Sequence, residues 1–224
     1  MAVKIIGANC SLGEAVIDKL LVMDVDVISE DNSHFSRNKR LLEFSNVSLL
    51  KKGEGFSMSF DGSNADIVIG KDIIISDLIP SRADKWIPEE IKAWLEHKET
   101  DVRERYWLSV VDAANTLAII AKSGKKVSNI HMCGRRKWLS KDTKAEFDML
   151  YERTLQGKSG KFTAETLFGH EISGMEAVRI TGDEIARPDL QPLQDLLVDL
   201  TGEGWRPLVP FRTALMTLLA GVLE

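Results

Sequence analysis

The stretch Val3-Lys-Ile-Ile-Gly-Ala-Asn-Cys-Ser-Leu-Gly13 decides how the rest of the chain is read. Val3 to Ile6, three of whose four side chains are branched and apolar, predicts a short strand that stops at a glycine. Gly7 to Gly13 reads as a tight turn, and Glu14 to Met23 then spaces its apolar residues as a helix does. The order is strand, loop, helix. A second strand over Val25 to Ser29 ends in the acidic pair Glu30-Asp31, seventeen and eighteen residues after Gly13. That is close to the offset at which a βαβ unit carries a ribose-binding carboxylate.

Outward from this unit the signal weakens and then returns. Between Ser33 and Gly62, Asn46 to Leu50 is the one strand candidate, while Lys51 to Gly55 and Asp61 to Asn64 are turn-rich. Asp66 to Ile75 is β-branched, interrupted by Gly70, and suits one buried central strand or two short ones. Pro88 with Glu89 and Glu90 opens a helix with Ile87, Ile91, Trp94 and Leu95 on one face. Val111 to Lys122 is an alanine-rich helix closed by Gly124, and Val127 to Cys133 is the next strand. Thr143 to Glu146 has capping-box spacing ahead of Phe147, Leu150 and Tyr151, with a stop expected at Gly157. Leu193 to Leu200 and Phe211 to Leu223 read as two amphipathic helices joined through Gly202 to Pro207. No internal repeat or low-complexity tract is present.

Composition narrows the function classes. The chain has 224 residues, 44% hydrophobic and 28% charged, enough to bury a sizeable core. Asp and Glu outnumber Lys and Arg by 34 to 29, for a net charge of -5, which argues against nucleic acid as a partner. The absence of an apolar run long enough for a bilayer, or of a signal-like start, makes a cytoplasmic protein without membrane contact the expectation. Cys10 and Cys133 form neither a disulfide framework nor a metal spacing, and His34, His97 and His170 stand singly, so no metal site is expected. The five tryptophans lack an interleaving basic stripe and read as core and loop anchors. No GxSxG elbow supports serine hydrolase chemistry.

A loop between a strand and a helix N-terminus can seat a pyrophosphate, because unpaired N–H groups and the helix dipole favour negative charge there and glycines allow close approach. Gly7, Asn9, Cys10, Ser11, Leu12 and Gly13 are the candidate cradle, with Asp31 and Asn32 for the ribose. The middle position of a GxxGxxG loop is Cys10, however, whose side chain takes up room that close approach needs. At a helix N-terminus Cys10 has two readings, a reactive thiolate or a small packing residue, and the second is the commoner. Arg135 and Arg136, with Lys137, follow a strand's carboxyl end, where open α/β sheets place ligands; they read as a phosphate clamp or as a solvated charge cluster. His131, mid-strand between apolar neighbours, reads as a structural histidine before a general base.

With these segments in hand, the sequence resembles the extended short-chain dehydrogenases/reductases, the NAD-dependent nucleotide-sugar epimerases and dehydratases. Four blocks carry the likeness: GANCSLG with VDVISEDN, Arg105-Tyr-Trp-Leu-Ser-Val-Val-Asp112, Val127-Ser-Asn-Ile-His-Met-Cys-Gly134, and Gly204-Trp-Arg-Pro207 before the closing helix. The resemblance implies NAD as cofactor, with Asp31 on the adenosine ribose, and a nucleotide sugar as partner, with Arg105 on its diphosphate. Asp31 disfavours a 2′-phosphate, although Arg37 lies six residues on. Tyr106 replaces the family's aspartate after the arginine. Members of the family are longer, by something like a hundred residues, and the shortfall falls between Asp31 and Arg105, where 73 residues intervene. The family's Tyr-x-x-x-Lys, which sets a phenol and an ammonium on one helical face for proton exchange during hydride transfer, has no counterpart. Tyr106 is followed four positions on by Val110, and Tyr151 by Leu155.

The expectation is an α/β fold, a reduced Rossmann-like core with a mainly parallel sheet over residues 1–135 and a helical C-terminal section over 136–224 packed on it as one compact unit. The shortened sheet leaves an edge or face to be covered by the segment from Phe56 to Asn64 or by a partner subunit, so a homo-oligomer or a heteromeric partner is expected. In function the chain reads as a pseudoenzyme of this family, binding a nucleotide or a partner, with no catalytic residue assigned. The alternative is an active NAD(P)-dependent epimerase, dehydratase or reductase with a substitute acid/base drawn from Tyr106, Cys10 or His131.

Overall fold

A computed structural model describes residues 2–100, 103–159 and 187–223. The first strand, β1 (Val3–Ile6), leads into helix α1 (Ser11–Val22) and returns to β2 (Val27–Ile28), parallel to β1. Two one-turn-and-a-half helices follow, α2 (Asn32–Arg37) and α3 (Lys39–Phe44), then β3 (Leu49–Leu50). The next strand, β4 (Phe56–Ser59), pairs with β1 on the side opposite β2. With β5 (Ile67–Val68) it completes a five-stranded, all-parallel sheet in the order β3-β2-β1-β4-β5, the Rossmann-like order in which the strand sequence reverses beside β1.

The apolar segment around Gly70 forms two strands. Gly70, at φ 92°, turns the chain between β5 and β6 (Ile73–Ile75), and an Ile69–Ile73 bridge links them. Two further parallel pairs extend the architecture: β6 with β9 (Ile130–Met132), and β7 (Leu78–Ile79) with β8 (Leu108–Ser109). Between them run α4 (Glu89–Leu95) and α5 (Val110–Ser123), the latter closed by Gly124 at φ 66°. Then come α6 (Ser140–Ser159), α7 (Gln191–Thr201) and α8 (Phe211–Leu223). Among the described residues no helix is long and apolar enough to cross a membrane.

Strand periodicity explains which face is covered. Val3, Ile5, Met58 and Ile67 point to one side, where α1 and α5 lie, and all are buried. Ala113, Ala114, Leu117, Ala118 and Ala121 let α5 pack against Leu12, Val16, Ile17 and Leu20 of α1. Each fully buried leucine or isoleucine there contributes about 1.5–3 kcal/mol of transfer free energy. The opposite face carries Lys4, Ile6, Ser57, Val68, Ile74 and His131, all half-buried, beside the buried Ile28 and Ser59. Parallel sheets usually have helices on both faces. Here residues 51–55 run directly from β3 to β4 without a crossover helix, so that layer is missing from this stretch.

Several sequence expectations are corrected. Helix α1 begins at Ser11, so Gly13 lies in its first turn; a Cβ there would stand 2.6 Å from Ala8 Cα. Phe56 to Ser59 does not cover the sheet but is a central strand of it. Thr143 caps nothing: it lies inside α6, buried, where its hydroxyl accepts from Trp107 Nε1 at 3.2 Å and donates to the Leu139 carbonyl. Gly157 does not end α6, which runs to Ser159. His170 lies outside the described residues.

Two apolar cores divide the molecule without following chain order. The first, under the sheet, also takes in Leu193 and Leu197 of α7 and Trp205, whose Nε1 donates to the Cys133 carbonyl at 3.0 Å. The second gathers Ile79, Ile91, Trp94, Trp107, Phe147, Phe211 and Leu215 from α4, α6, α8 and the β7–β8 pair. Asp112, in the first turn of α5, accepts from the N–H groups of Leu208 and Val209 and ties the approach to α8 onto the sheet domain.

Candidate functional site

The carboxyl ends of β1 and β2, where the strand order reverses, border a cavity of about 380 Å³. Open α/β sheets place ligands at this position. Gly7 makes the first turn at φ 65°, a conformation that side chains disfavour. Gly7, Ala8 and Asn9 form one wall, Ile28 to Asp31 the other, and Lys4, Ile6 and Asp61 complete it. The lining thus holds three carboxylates and one ammonium, with Asn9 and Ser29 polar and Ile5, Ile6 and Ile28 apolar.

Asp31 stands at the rim as the N-cap of α2, its Oδ1 accepting from Ser33 N–H at 2.8 Å. The backbone and side-chain hydrogen bonds from Ser33 hold its carboxyl below the ordinary carboxylate range, so it is ionised and offers acceptors to a diol. Glu30 beside it is exposed. Of the sequence candidates, Gly7, Asn9 and Asp31 line the cavity. Asn32 does not; it is exposed and opens α2.

The other four cradle residues are closed off from the cavity. Cys10, 2% exposed, is the N-cap of α1, and its Sγ accepts from Gly13 N–H at 3.5 Å. The thiol is thus a packing and capping group, the commoner of its two readings. Leu12 and Gly13 are buried in the helix's first turn. Ser11 N–H, which a bound phosphate would need, donates instead to Asp84 Oδ2 at 2.6 Å, from a loop 73 residues further along. The second oxygen of Asp84 accepts from Trp86 N–H at 2.9 Å. Arg82 of the same loop clasps Glu14 in the first turn of α1 through both terminal nitrogens. Burial disfavours the charge of Glu14, yet Arg82 and Arg37 hold its pKa below the ordinary value.

Asp61 closes the remaining approach. A Cβ built on Gly7 would fall 2.5 Å from Asp61 Cβ, Cγ and Oδ2, so this side chain lies directly over the glycine. Its Oδ1 accepts from Ser63 N–H and Ser59 Oγ, both at 2.9 Å, and these bonds keep it ionised. Sequence reasoning marked Asp61 only as a turn residue and did not single out Asp84. Neither has a local signal tying it to Gly7 or Ser11, since both contacts depend on where β4 and β7 come to lie.

The cationic candidates are likewise met from within. Arg105 donates from Nε and Nη2 to Glu90, at 2.6 and 3.1 Å, and from Nη1 to Asp77 at 3.1 Å. Glu90 is 3% exposed. Burial works against the guanidinium's charge, and Glu90 with Asp77 more than offsets it. Arg105 is thus held in ion pairs with Glu90 and Asp77. Arg136 lies over the Trp138 ring at 4.6 Å, and Lys137 pairs with Glu104 at 2.5 Å. Arg135 is exposed, and its carbonyl accepts from Arg187. Arg105 is bridged to Trp138, over whose ring Arg136 lies, but none of Arg105, Arg135 and Arg136 borders the cavity. Arg37 pairs with Asp18 at 2.8 Å and with Glu14 rather than facing a ligand.

A larger groove of about 990 Å³ runs between the end of α4 and α6. Its rings close on one another, Phe147 stacked on Tyr151 and His97 edge-on to it. Its Lys144 and Lys98 are paired with Asp148 and Glu96. The smaller cavity lies at the strand reversal with three carboxylates in its lining and is the better ligand site. Among the described residues no group of three or more histidine, cysteine or acidic side chains is placed to hold a metal.

No family model matches the chain, and no curated protein does. Solved structures do. The dTDP-glucose 4,6-dehydratase DesIV of Streptomyces venezuelae, determined with NAD bound, aligns at a TM-score of 0.50 and 10% identity, over 99% of this chain and 96% of that one. A dTDP-glucose 4,6-dehydratase of Bacillus anthracis in complex with NAD aligns at 0.49 and 10%, with the same coverage. The Bordetella bronchiseptica enzyme WbmF in complex with NAD+ and UDP aligns at 0.47 and 11%, over 98% and 91%. The likeness to DesIV shows a shared fold, the Rossmann-like α/β architecture with a helical C-terminal section.

Proposed function

We propose that this chain is a nucleotide-binding protein built on the plan of the NAD-dependent nucleotide-sugar dehydratases and epimerases, and that it works by binding without their hydride and proton chemistry. The observation that carries the reading is the cavity at the strand reversal, with the ionised Asp31 at its rim. A 2′,3′-diol suits Asp31, and a 2′-phosphate there would meet Glu30 and Asp31 with like charge, which favours NAD-type over NADP-type ligands.

The residues present fit an adenosine half better than a pyrophosphate half. Asp31 would hold the ribose and the apolar floor by Ile6 and Ile28 would take the base, whereas the phosphate position is occupied by the protein's own carboxylates. Bound NAD supplies hydride chemistry in the enzymes of this plan; here none of the three substitute acid/base candidates is presented to it. Cys10 is buried as a cap, Tyr106 packs against the first core with its N–H on Asp77, and His131 sits half-buried within β9. The two tyrosines of the chain both lack a lysine four residues on.

Thermal-shift and calorimetric titration with adenosine, ADP-ribose, NAD, NADP and a dTDP- or UDP-sugar tests this reading, because a ligand held only by the folded state raises apparent stability. The expected result is saturable binding of an adenosine-containing ligand, lost in Asp31→Ala. NAD-dependent turnover of a sugar nucleotide by the purified protein would overturn the non-catalytic part.

A further inference from the structure

We infer that the loop over residues 81–86 is a self-cap, in which Asp84 occupies the pyrophosphate seat at the N-terminus of α1 and must leave before any phosphate-bearing ligand is fully bound. The inference rests on the nucleotide-binding reading of the cavity and adds a control to it.

Two independent contacts carry it. The first N–H of α1 is directed at a carboxylate oxygen 2.6 Å away, the same charge and acceptor geometry that a phosphate oxygen would bring. The close-approach surface of Gly7 is filled by a second carboxylate, Asp61. One acidic side chain thus stands at each glycine-loop position where a pyrophosphate would make contact. A third sign is the Ser11 hydroxyl: the residue is 2% exposed, and its Oγ has no hydrogen-bond partner among the described residues. Asp84 meets the backbone donor of Ser11 and leaves its hydroxyl unmet, so the helix N-terminus keeps a donor that its present occupant does not use.

The loop is held at its other end by groups that can let go. Arg82 grips Glu14 at the surface, and Lys85 donates to the Phe60 carbonyl at 2.5 Å. These are exposed or partly exposed pairings, each of modest strength and sensitive to salt. A nucleoside enters the cavity without meeting Asp84, since Asp84 does not border it. A dinucleotide or ADP-ribose cannot reach Ser11 N–H while Asp84 is there, and two anions at that spot repel. Phosphate-bearing ligands therefore bind with the cost of displacing the cap, and nucleosides do not.

Calorimetry with adenosine and with ADP-ribose on the full chain, wild type against Asp84→Asn and Asp84→Ala, tests the cap. Both variants should bind ADP-ribose tighter by on the order of tenfold, the usual size of one charge-assisted contact, while adenosine affinity moves by less than about twofold. Hydrogen exchange on the wild type gives a readout that needs no variant. Saturating ADP-ribose should speed exchange of the 81–86 amides, and adenosine should leave them unchanged. Equal ADP-ribose affinity in all three proteins, or unchanged exchange over 81–86 when ADP-ribose saturates, would overturn the cap and leave the nucleotide reading standing. If neither probe binds wild type or variants, the nucleotide reading itself falls, and the cap with it.

Discussion

The two segments beside β1, the end of β2 and the start of α1, carry the same kind of polar residue and come to opposite states. At the β2 end, Glu30 and Asp31 present carboxylates that only a local turn satisfies, so acceptors remain for a ligand. At the α1 end, every described polar contact is internal: Cys10 holds Gly13 N–H, Asp84 holds Ser11 N–H, Arg82 holds Glu14. The Arg105–Glu90–Asp77 cluster repeats the second state some distance away. A residue type that reads as ligand-binding becomes structural when tertiary contacts supply its partner first. Substitutions at internally met positions should then cost stability, and those at the open end should cost binding.

The largest effect is expected for Arg105→Ala. It strips the partner from Glu90, which is 3% exposed, and should lower unfolding free energy by about 3 kcal/mol, read by urea denaturation. Glu90→Gln in the same chain should recover part of that loss. If Arg105→Ala left stability unchanged but weakened sugar-nucleotide binding, the comparison would break, and Arg105 would belong with the open end. Gly13→Ala comes next. Its Cβ would stand 2.6 Å from the backbone of Ala8, so the strand and helix must move apart, at a cost of about 2 kcal/mol. Asp31→Ala should cost only about 1 kcal/mol, the value of a helix cap, yet abolish measurable adenosine binding in the same titration.

The smallest effect is a pH dependence set by one buried and one half-exposed polar group. Burial, with Arg37 beside it, pushes the His34 imidazole below its ordinary 6.5. The unfolded chain takes up that proton first, so stability is full above pH 6.5 and falls as pH drops toward the folded value. Asp66, held at about 2 by Lys126 and Ser57 against an ordinary 3.8, adds a second decline from near pH 4 down to about 2. Acid titration of the denaturation midpoint should show both windows, and His34→Gln should remove only the upper one.

How much of this was legible in the sequence follows from how local each signal was. The strand–loop–helix at Val3 to Met23, the acidic pair after β2 and the alanine-rich α5 with its Gly124 stop depend on neighbours in the chain, and the structure has them, with α1 starting earlier than Glu14; the segment around Gly70, readable as one strand or two, forms two. Strand β4 was missed because Phe-Ser-Met-Ser is short, half-polar and flanked by turn residues, and only pairing to β1 makes it a strand. The capping box at Thr143 misled because the same spacing occurs inside a helix; Trp107, 36 residues away, claims the hydroxyl. Cys10, in the place of the middle glycine, caps α1, but the carboxylates beside the loop had no local signal.

The sequence by itself determined the parallel α/β plan, the tight turn from Gly7, the carboxylate after β2 and the absence of a tyrosine with a lysine four residues on, since each follows from residue type and short-range spacing. Tertiary structure alone decided that Asp84 would meet Ser11 across 73 residues, that Asp61 would lie over Gly7, and that Arg105 would be spent on Glu90. The physical reason is that a charge acts on whatever the folded chain brings within a few ångströms of it, and chain distance carries no information about that.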